Sequence, residues 1–328
     1  MNWESLDWEV LDRLRETFLS DARSAGPYWH TVTDLECYNL TYGERIGWKW
    51  DAVLAELRHR GWTPPGGGTV LDWGCGSGVA GRRVLDCYGP ATFARLRVHD
   101  HSVLAMDFAE HHGRKEYPGL DVARAGAGFL DSTEPIGLLV VSHVLNELDA
   151  AAQSELTALC TRAESILWVE PGTHEVSRTL GGWRERLRAT GLNPVAPCPH
   201  AEKCGVLASG NERHWCHFFA APPASLYADS DWVKFGRRAG IDLRSLPYSF
   251  LVLDRRPAPA AAGCSCILGE PRHYKGYAKV FNCDAGGVAE LMLQKRDAPA
   301  LFKALKQGAG PALHRWSHTG GRIAPDSP

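Results

Sequence analysis

The sequence predicts an α/β protein built on a parallel sheet with helices on both faces. From residue 65 onward, short apolar runs alternate with helical periodicity, the pattern of successive βαβ units. A glycine-rich loop follows the first of those runs. Hydrophobic residues make up 44% of the 328-residue chain and charged residues 23%. That is the balance of a globular protein and excludes wholesale disorder or a fibre. No apolar stretch approaches the length of a membrane span, so no membrane partner is expected.

Residues 1–64 read as a helical cap. Trp3, Leu6, Val10, Leu14 and Phe18 recur at spacings of three and four along a first helix. A second helix is expected over 42–60, with Trp50, Val53, Leu54 and Leu57 on its apolar side. The acidic residues 1–20 lack the basic start and apolar run of a signal peptide, so a cytoplasmic location is expected. The run Pro64-Pro65-Gly66-Gly67-Gly68 closes the cap.

A Rossmann-like domain is expected over 65–255. Strands are predicted at 69–72, 96–100, 138–142 and 165–170, with helices over 79–87, 103–112, 151–163 and 182–190. The pattern then breaks in a loop, 191–224, rich in Pro, Cys and His. Strand-like runs return at 215–220 and 249–254. An Ala/Pro linker opens the segment 256–310, where 264–297 alternates like a small β unit before a basic helix over 298–307. Residues 311–328 are expected to be a disordered tail.

In the first βα turn, Asp72-Trp-Gly74-Cys-Gly76-Ser-Gly78 runs from a strand into a helix. Glycines permit the turn and let a ligand approach the backbone, and the helix N-terminus beyond offers free N–H donors. Asp100 ends the next strand, where it can accept from ribose hydroxyls. Two ligands fit. Gly76-Ser-Gly78-Val-Ala-Gly81 matches a dinucleotide fingerprint. The D-x-G-x-G-x-G form resembles class I S-adenosylmethionine-dependent methyltransferases, in which an acid such as Asp72 faces the cationic methionine end of the cofactor. Asp72 tips the choice to S-adenosylmethionine. The fourth strand ends in Ser142-His-Val-Leu-Asn146-Glu147, where that fold places the group facing the methyl acceptor. Ser142 is a cofactor-side candidate. Asn146 and Glu147 are the acceptor-side candidates, although an Asn-Glu pair equally caps a helix. The run identifies no general base.

The chain has ten cysteines, six of them within residues 198–283. Cys198, Cys204 and Cys216 form C-x5-C-x11-C, and Cys264, Cys266 and Cys283 follow. Four thiolates from a loop and a distant strand can hold zinc or a four-iron cluster, with His200, His214 and His217 as alternative ligands. Charge is uneven as well. Residues 231–328 hold 15 Lys and Arg against 8 Asp and Glu, within a net charge of −2. Such a surplus suits a polyanion. Arg272, Lys275, Lys279, Lys295, Arg296, Lys303 and Lys306 are the candidate phosphate contacts.

Six blocks together resemble the methyltransferase-like assembly factors of the mitochondrial small ribosomal subunit and their bacterial relatives. They are 70–78, 141–148 (VSHVLNEL), 168–173 (WVEPGT), 197–200 (PCPH), 215–218 (WCHF) and 293–297 (LQKRD). The resemblance implies a class I methyltransferase-like fold with a helical cap, a cysteine-rich metal-binding loop and a small C-terminal β unit. It implies S-adenosylmethionine as cofactor and a [4Fe–4S] cluster on Cys198, Cys204, Cys216 and Cys283, with zinc as the alternative metal. The partner implied is the small ribosomal subunit and its RNA, in assembly or translation. Compared with that family, the gap before Cys216 is longer, Cys264-Ser-Cys266 offers another fourth ligand, and Arg315-Trp-Ser-His-Thr replaces the usual ending. Two rival functions stand beside this one: a non-catalytic RNA-binding factor that keeps the fold as scaffold, and a small-molecule methyltransferase.

Overall fold

The computed structural model describes residues 3, 6–20, 28–258, 263–308 and 310–324. The chain divides into two compact units, each drawn from three separated segments. One comprises Met1–Leu54, Thr63–Val169 and Ala220–Leu246; the other comprises Ala55–Trp62, Glu170–Phe219 and Pro247–Pro328.

The first unit carries the parallel sheet. Its strands are β1 (Thr69–Trp73), β2 (Arg95–His99), β3 (Asp121–Arg124), β4 (Ile136–Ser142) and β5 (Ala163–Pro171). Their spatial order is β3-β2-β1-β4-β5, every neighbouring pair parallel. This is a doubly wound arrangement whose order reverses beside β1, the place where such sheets bind ligands. β1 and β4 are apolar and almost wholly buried, as strands covered on both faces must be. β3 was not expected. It is a four-residue edge strand in which only Val122 is fully buried, too short to leave a pattern in the sequence.

Helices α1 (Trp8–Leu19), α2 (Val32–Tyr38) and α3 (Glu44–His59) precede the sheet. A π-helical turn, Asn39–Gly43, joins the last two. Leu14, Trp29 and Leu35 pack with Ala105 and Phe108 of α5 (Val103–Glu116). The cap therefore shares the core of the sheet unit. Between strands run α4 (Val79–Tyr88), α6 (Ala127–Leu130) and α7 (Ala150–Arg162). Asp149 caps α7 by accepting from the Ala152 N–H at 2.8 Å, so Asn146 and Glu147 sit in a turn before the helix and do not cap it.

In the second unit, α8 (His174–Arg188) precedes β6 (Asn193–Ala196), and β7 (Phe218–Ala220) follows the cysteine loop. Helix α9 (Ser230–Ala239) belongs to the first unit. β6 and β7 pair with β8 (Leu246–Asp254). A separate sheet is built from β9 (Cys264–His273), β10 (Tyr277–Asp284), β11 (Gly287–Gln294), β12 (Leu313–Arg315), β13 (His318–Thr319) and β14 (Arg322–Ile323), with α10 (Pro299–Lys306) against it. The expected disordered tail is corrected over its described part. Trp316 and Ile323 complete the core of this sheet, and the Trp316 indole N–H donates to Asn282 Oδ1 at 3.2 Å. Three short strands separated by turns carry too little periodicity to be read as such. Of the expected linker, 259–262 lies outside the described residues, as do 325–328 of the tail.

Candidate functional site

The first unit gathers its polar groups at the C-terminal ends of β1, β2 and β4. Gly74, Gly76 and Gly78 all have left-handed backbone, with φ of +71°, +51° and +76°. A side chain on Gly74 would strike Val144, its Cβ only 2.5 Å from a methyl carbon, and one on Gly78 would strike Ala109 at 2.9 Å. Those two glycines serve the fold. Gly76 differs, because nothing lies within 4 Å of the position its Cβ would take. The loop leaves open space there, as a backbone that receives a ligand must.

Asp100 holds this loop in shape. Its carboxylate accepts the Gly76 N–H at 2.9 Å and the Ser102 N–H at 2.9 Å. Oδ1 also stands 3.4 Å from His101 Nδ1, and Oδ2 keeps a further lone pair for a ligand hydroxyl. Asp72 is fully buried at the end of β1, where Oδ2 accepts the Gly81 N–H of α4 at 3.0 Å. Oδ1 is buried and meets no hydrogen-bond partner among the described residues. Burial pushes the Asp72 carboxyl up to about 7, with Gly81 and Arg82 pulling the other way. An acid in this state gains from a cation placed beside it.

A carboxyl raised in the fold stabilises it below its ordinary range and loses that contribution as pH climbs toward 7. Replacing Asp72 by Asn keeps the acceptor for Gly81 and removes the charge. The ligand-free Asp72→Asn protein is expected to match wild type near pH 4 and to exceed it at pH 8, by up to about 4 kcal/mol. Thermal melts across that range check it; parallel curves at both pH values would contradict it.

Ser142 ends β4. Its Oγ accepts the Trp50 indole N–H at 3.0 Å and stands 3.2 Å from His143 Nδ1. Sequence reasoning passed over His143. It is the only non-glycine residue with positive φ among the described residues, at +58°, and its N–H donates to Val169 O at 2.9 Å. Strain of this kind persists where the surroundings hold a side chain in place. Lys49 Nζ donates to His143 Nε2 at 3.2 Å. Burial, then Lys49 and Arg45, drive the imidazole well below its ordinary range, so it is neutral at pH 7 with its proton on Nδ1. Glu147 sits near Tyr38, whose hydroxyl is pushed up by its enclosure, by Glu147 and by Asp100. Asn146 is exposed.

The second unit gathers the thiols. Burial raises Cys216 far above its ordinary range, and Cys198, Cys266, Cys283 and Cys204 add to the rise. Burial and the same neighbours raise Cys283. Cys198, Cys204, Cys266 and Cys283 therefore stand within electrostatic reach of Cys216. The extra member follows from register, since Cys266 pairs directly across from Cys283 on adjacent strands. Cys264, two residues earlier, is not among the groups acting on Cys216 or Cys283. Among the described residues, no three Cys, His, Asp or Glu side chains stand close enough to hold a single ion.

Two buried arginines frame these thiols. Arg184 Nε donates to Cys198 Sγ at 3.0 Å, and its NH2 donates to His200 O at 3.0 Å. Burial opposes its charge, but Cys198, Glu185 and Cys204 outweigh burial and raise it. Glu185 turns back to accept the Cys204 N–H at 3.2 Å. Arg60, ion-paired to Glu56, donates to the carbonyls of Val195, Pro197 and Cys198 at 3.0–3.4 Å. Of the histidine alternatives, His200 lies nearest, its Nε2 3.8 Å from Cys283 Sγ. His217 turns its Nδ1 to Trp215 O, and His214 stacks on Phe281.

The candidate phosphate contacts divide into two sets. Arg272 and Lys279 both pair with Glu290, and Arg296 lies 3.6 Å from Asp297. Lys275, Lys295, Lys303 and Lys306 are exposed, and among the described residues none of them meets a carboxylate.

A family model described as mitochondrial small ribosomal subunit Rsm22 matches residues 52–309. No curated protein matches the chain. Solved structures similar to it include a candidate RNA methyltransferase of Pyrococcus horikoshii, at 10% identity and TM-score 0.38, covering 63% of this chain and 81% of that one. Another is a magnesium protoporphyrin IX methyltransferase of Synechocystis with bound SAH, at 12% identity and TM-score 0.40, covering 75% and 100%. A precorrin 8W decarboxylase of Methanobacterium thermoautotrophicum matches at 12% identity and TM-score 0.37, covering 62% and 87%.

Proposed function

The chain belongs to the family of the mitochondrial small ribosomal subunit Rsm22, and from that membership we propose a methyltransferase-like protein that binds S-adenosylmethionine and acts on, or binds, small-subunit ribosomal RNA. The observation that carries the cofactor assignment is the glycine loop, open at Gly76 and bounded by a buried acid with one unpartnered oxygen. When bound, the cofactor supplies a methyl group on a cationic sulfonium. Asp72 would face the cationic methionine end and Asp100 the ribose hydroxyls. Ser142 Oγ accepts from Trp50 and lies beside His143 Nδ1, which leaves the hydroxyl proton free to donate.

The acceptor side favours the scaffold reading over turnover. The one imidazole there has its basic nitrogen taken by the Lys49 ammonium, so in this arrangement it cannot receive a proton. Methyl transfer that used this imidazole as general base would need that contact broken. Lys49→Met frees the imidazole. In a tritiated-methyl assay on small-subunit RNA, we expect incorporation no higher for wild type than for Gly76→Arg. Robust incorporation that depends on Gly76 would make the protein an enzyme.

For the thiol centre we propose a [4Fe–4S] cluster on Cys198, Cys204, Cys216 and Cys283, with Cys266 adjacent and zinc as the alternative. What supports a metal centre is the number of thiols within electrostatic reach of Cys216, a donor set that suits either metal. Four thiolates also bring net negative charge, which Arg184 and Arg60 are placed to offset. The centre would pin the cysteine loop to β10, a structural role.

Small-subunit RNA binding rests on the basic surplus of residues 231–328. Each phosphate contact contributes about 0.7–0.9 to the slope of log affinity against log salt. Reversing Lys295 and Arg296 to Glu should flatten that slope by ~1–2. Filter binding between low and moderate salt measures it. An unchanged slope would move the contact away from this segment.

A further inference from the structure

We propose that the tip of the β9–β10 hairpin is a stacking platform for an unpaired RNA nucleotide, an inference that rests on RNA being the partner. The turn 274–276 is closed by the Tyr274 N–H donating to Tyr277 O at 2.9 Å. The two phenol rings stack nearly parallel, with centroids 4.5 Å apart and planes 13° apart. Tyr274 remains 44% exposed. Tyr277 therefore covers one of its faces, and much of the ring is left to solvent at the end of the sheet.

Two exposed lysines lie at this turn, and among the described residues neither meets a carboxylate. Lys275 lies in the turn and is exposed. The Lys295 N–H donates to Gly276 O at 3.0 Å, which places its backbone beside the same turn, with its ammonium 6.0 Å from the Phe302 ring centre; Arg296 follows it, 77% exposed and 3.6 Å from Asp297. Farther along the hairpin the charge is cancelled, because Arg272 and Lys279 share Glu290. Positive charge is thus concentrated where the aromatic face is open. A stacked ring with adjacent lysines is the combination that holds single-stranded nucleic acid, the ring taking a base and the ammonium groups its phosphates. A duplex, with its bases already stacked on one another, would offer only phosphates to this tip.

A cross-strand aromatic pair also stabilises a hairpin, so the test must separate packing from binding. The full-length protein is titrated with a fluorescent single-stranded RNA decamer and with the same decamer made abasic. Wild type should bind the first roughly tenfold more tightly, the usual effect of one stacked base. Tyr274→Phe should keep that preference. Tyr274→Ala and Tyr274→Leu should abolish it and leave the salt slope unchanged, with melting temperature recorded for each. Lys275→Glu with Lys295→Glu should weaken both probes equally and flatten the slope. If Tyr274→Leu melts like wild type and still prefers bases, the platform is wrong and the RNA reading stands. If wild type binds neither decamer nor small-subunit RNA, both fall together.

Discussion

Gly76→Arg is expected to abolish S-adenosylmethionine binding in a protein that still folds. The two halves of that expectation come from one observation. Gly76 has left-handed backbone, yet nothing of the protein lies within 4 Å of its missing Cβ. An arginine there suffers some backbone strain but no collision, and its side chain must occupy the space proposed for the ligand. Gly74 would not serve, because its Cβ would meet Val144 at 2.5 Å and disturb the sheet unit. Asp100→Ala is the graded companion. It releases the Gly76 and Ser102 amides from their acceptor and removes the proposed ribose partner, a loss of about 10- to 100-fold in affinity. Calorimetry with purified protein measures both. Retained binding in Gly76→Arg would remove the cleft from the account, and binding of NADH in place of S-adenosylmethionine would revive the dinucleotide alternative.

Cys216→Ser should bleach the protein and lower its stability by several kcal/mol, because a structural metal's binding energy is folding energy. Cys216 is the thiol that all four others act on. Anaerobically purified wild type should be brown, with broad absorption near ~400 nm. Cys283→Ser should behave like Cys216→Ser. Cys264→Ser should do nothing, since it stands apart from the cluster. Cys266→Ser separates register from ligation. It removes the thiol opposite Cys283, so retained colour keeps Cys283 as the fourth ligand and lost colour hands the role to Cys266. A colourless wild type holding one zinc per chain would overturn the iron assignment and leave the clamp.

The legible parts of this protein were those whose cause is local. A glycine loop between a buried strand and a helix announces itself through spacing, and β1, the start of α4 and the position of Asp100 all follow from it. Six cysteines within the 86 residues 198–283 drew notice because thiols in such number need a reason. Cys266 was harder to weigh, since its position depends on the pairing of β9 with β10, which no alternation pattern fixes. His143 was overlooked for a different reason. A histidine inside VSHVLNEL looks ordinary, and only the backbone reveals its positive φ and its bond to Lys49. The tail was misjudged because Trp316 and Ile323 fill a core made by residues far earlier in the chain. Both compact units draw on three separated segments, an arrangement that no composition break along the chain marks.

The central claim, membership of the small ribosomal subunit's machinery through direct RNA contact, is tested by one experiment. Cells expressing the tagged chain are crosslinked, their ribosomal subunits are separated on a gradient, and RNA bound to the chain is sequenced. The account predicts that the chain sediments with the small subunit and crosslinks to a discrete stretch of its RNA, and that the crosslinks fall when Lys295 and Arg296 are reversed. A chain that stays at the top of the gradient, with no small-subunit RNA among its crosslinks, would contradict it.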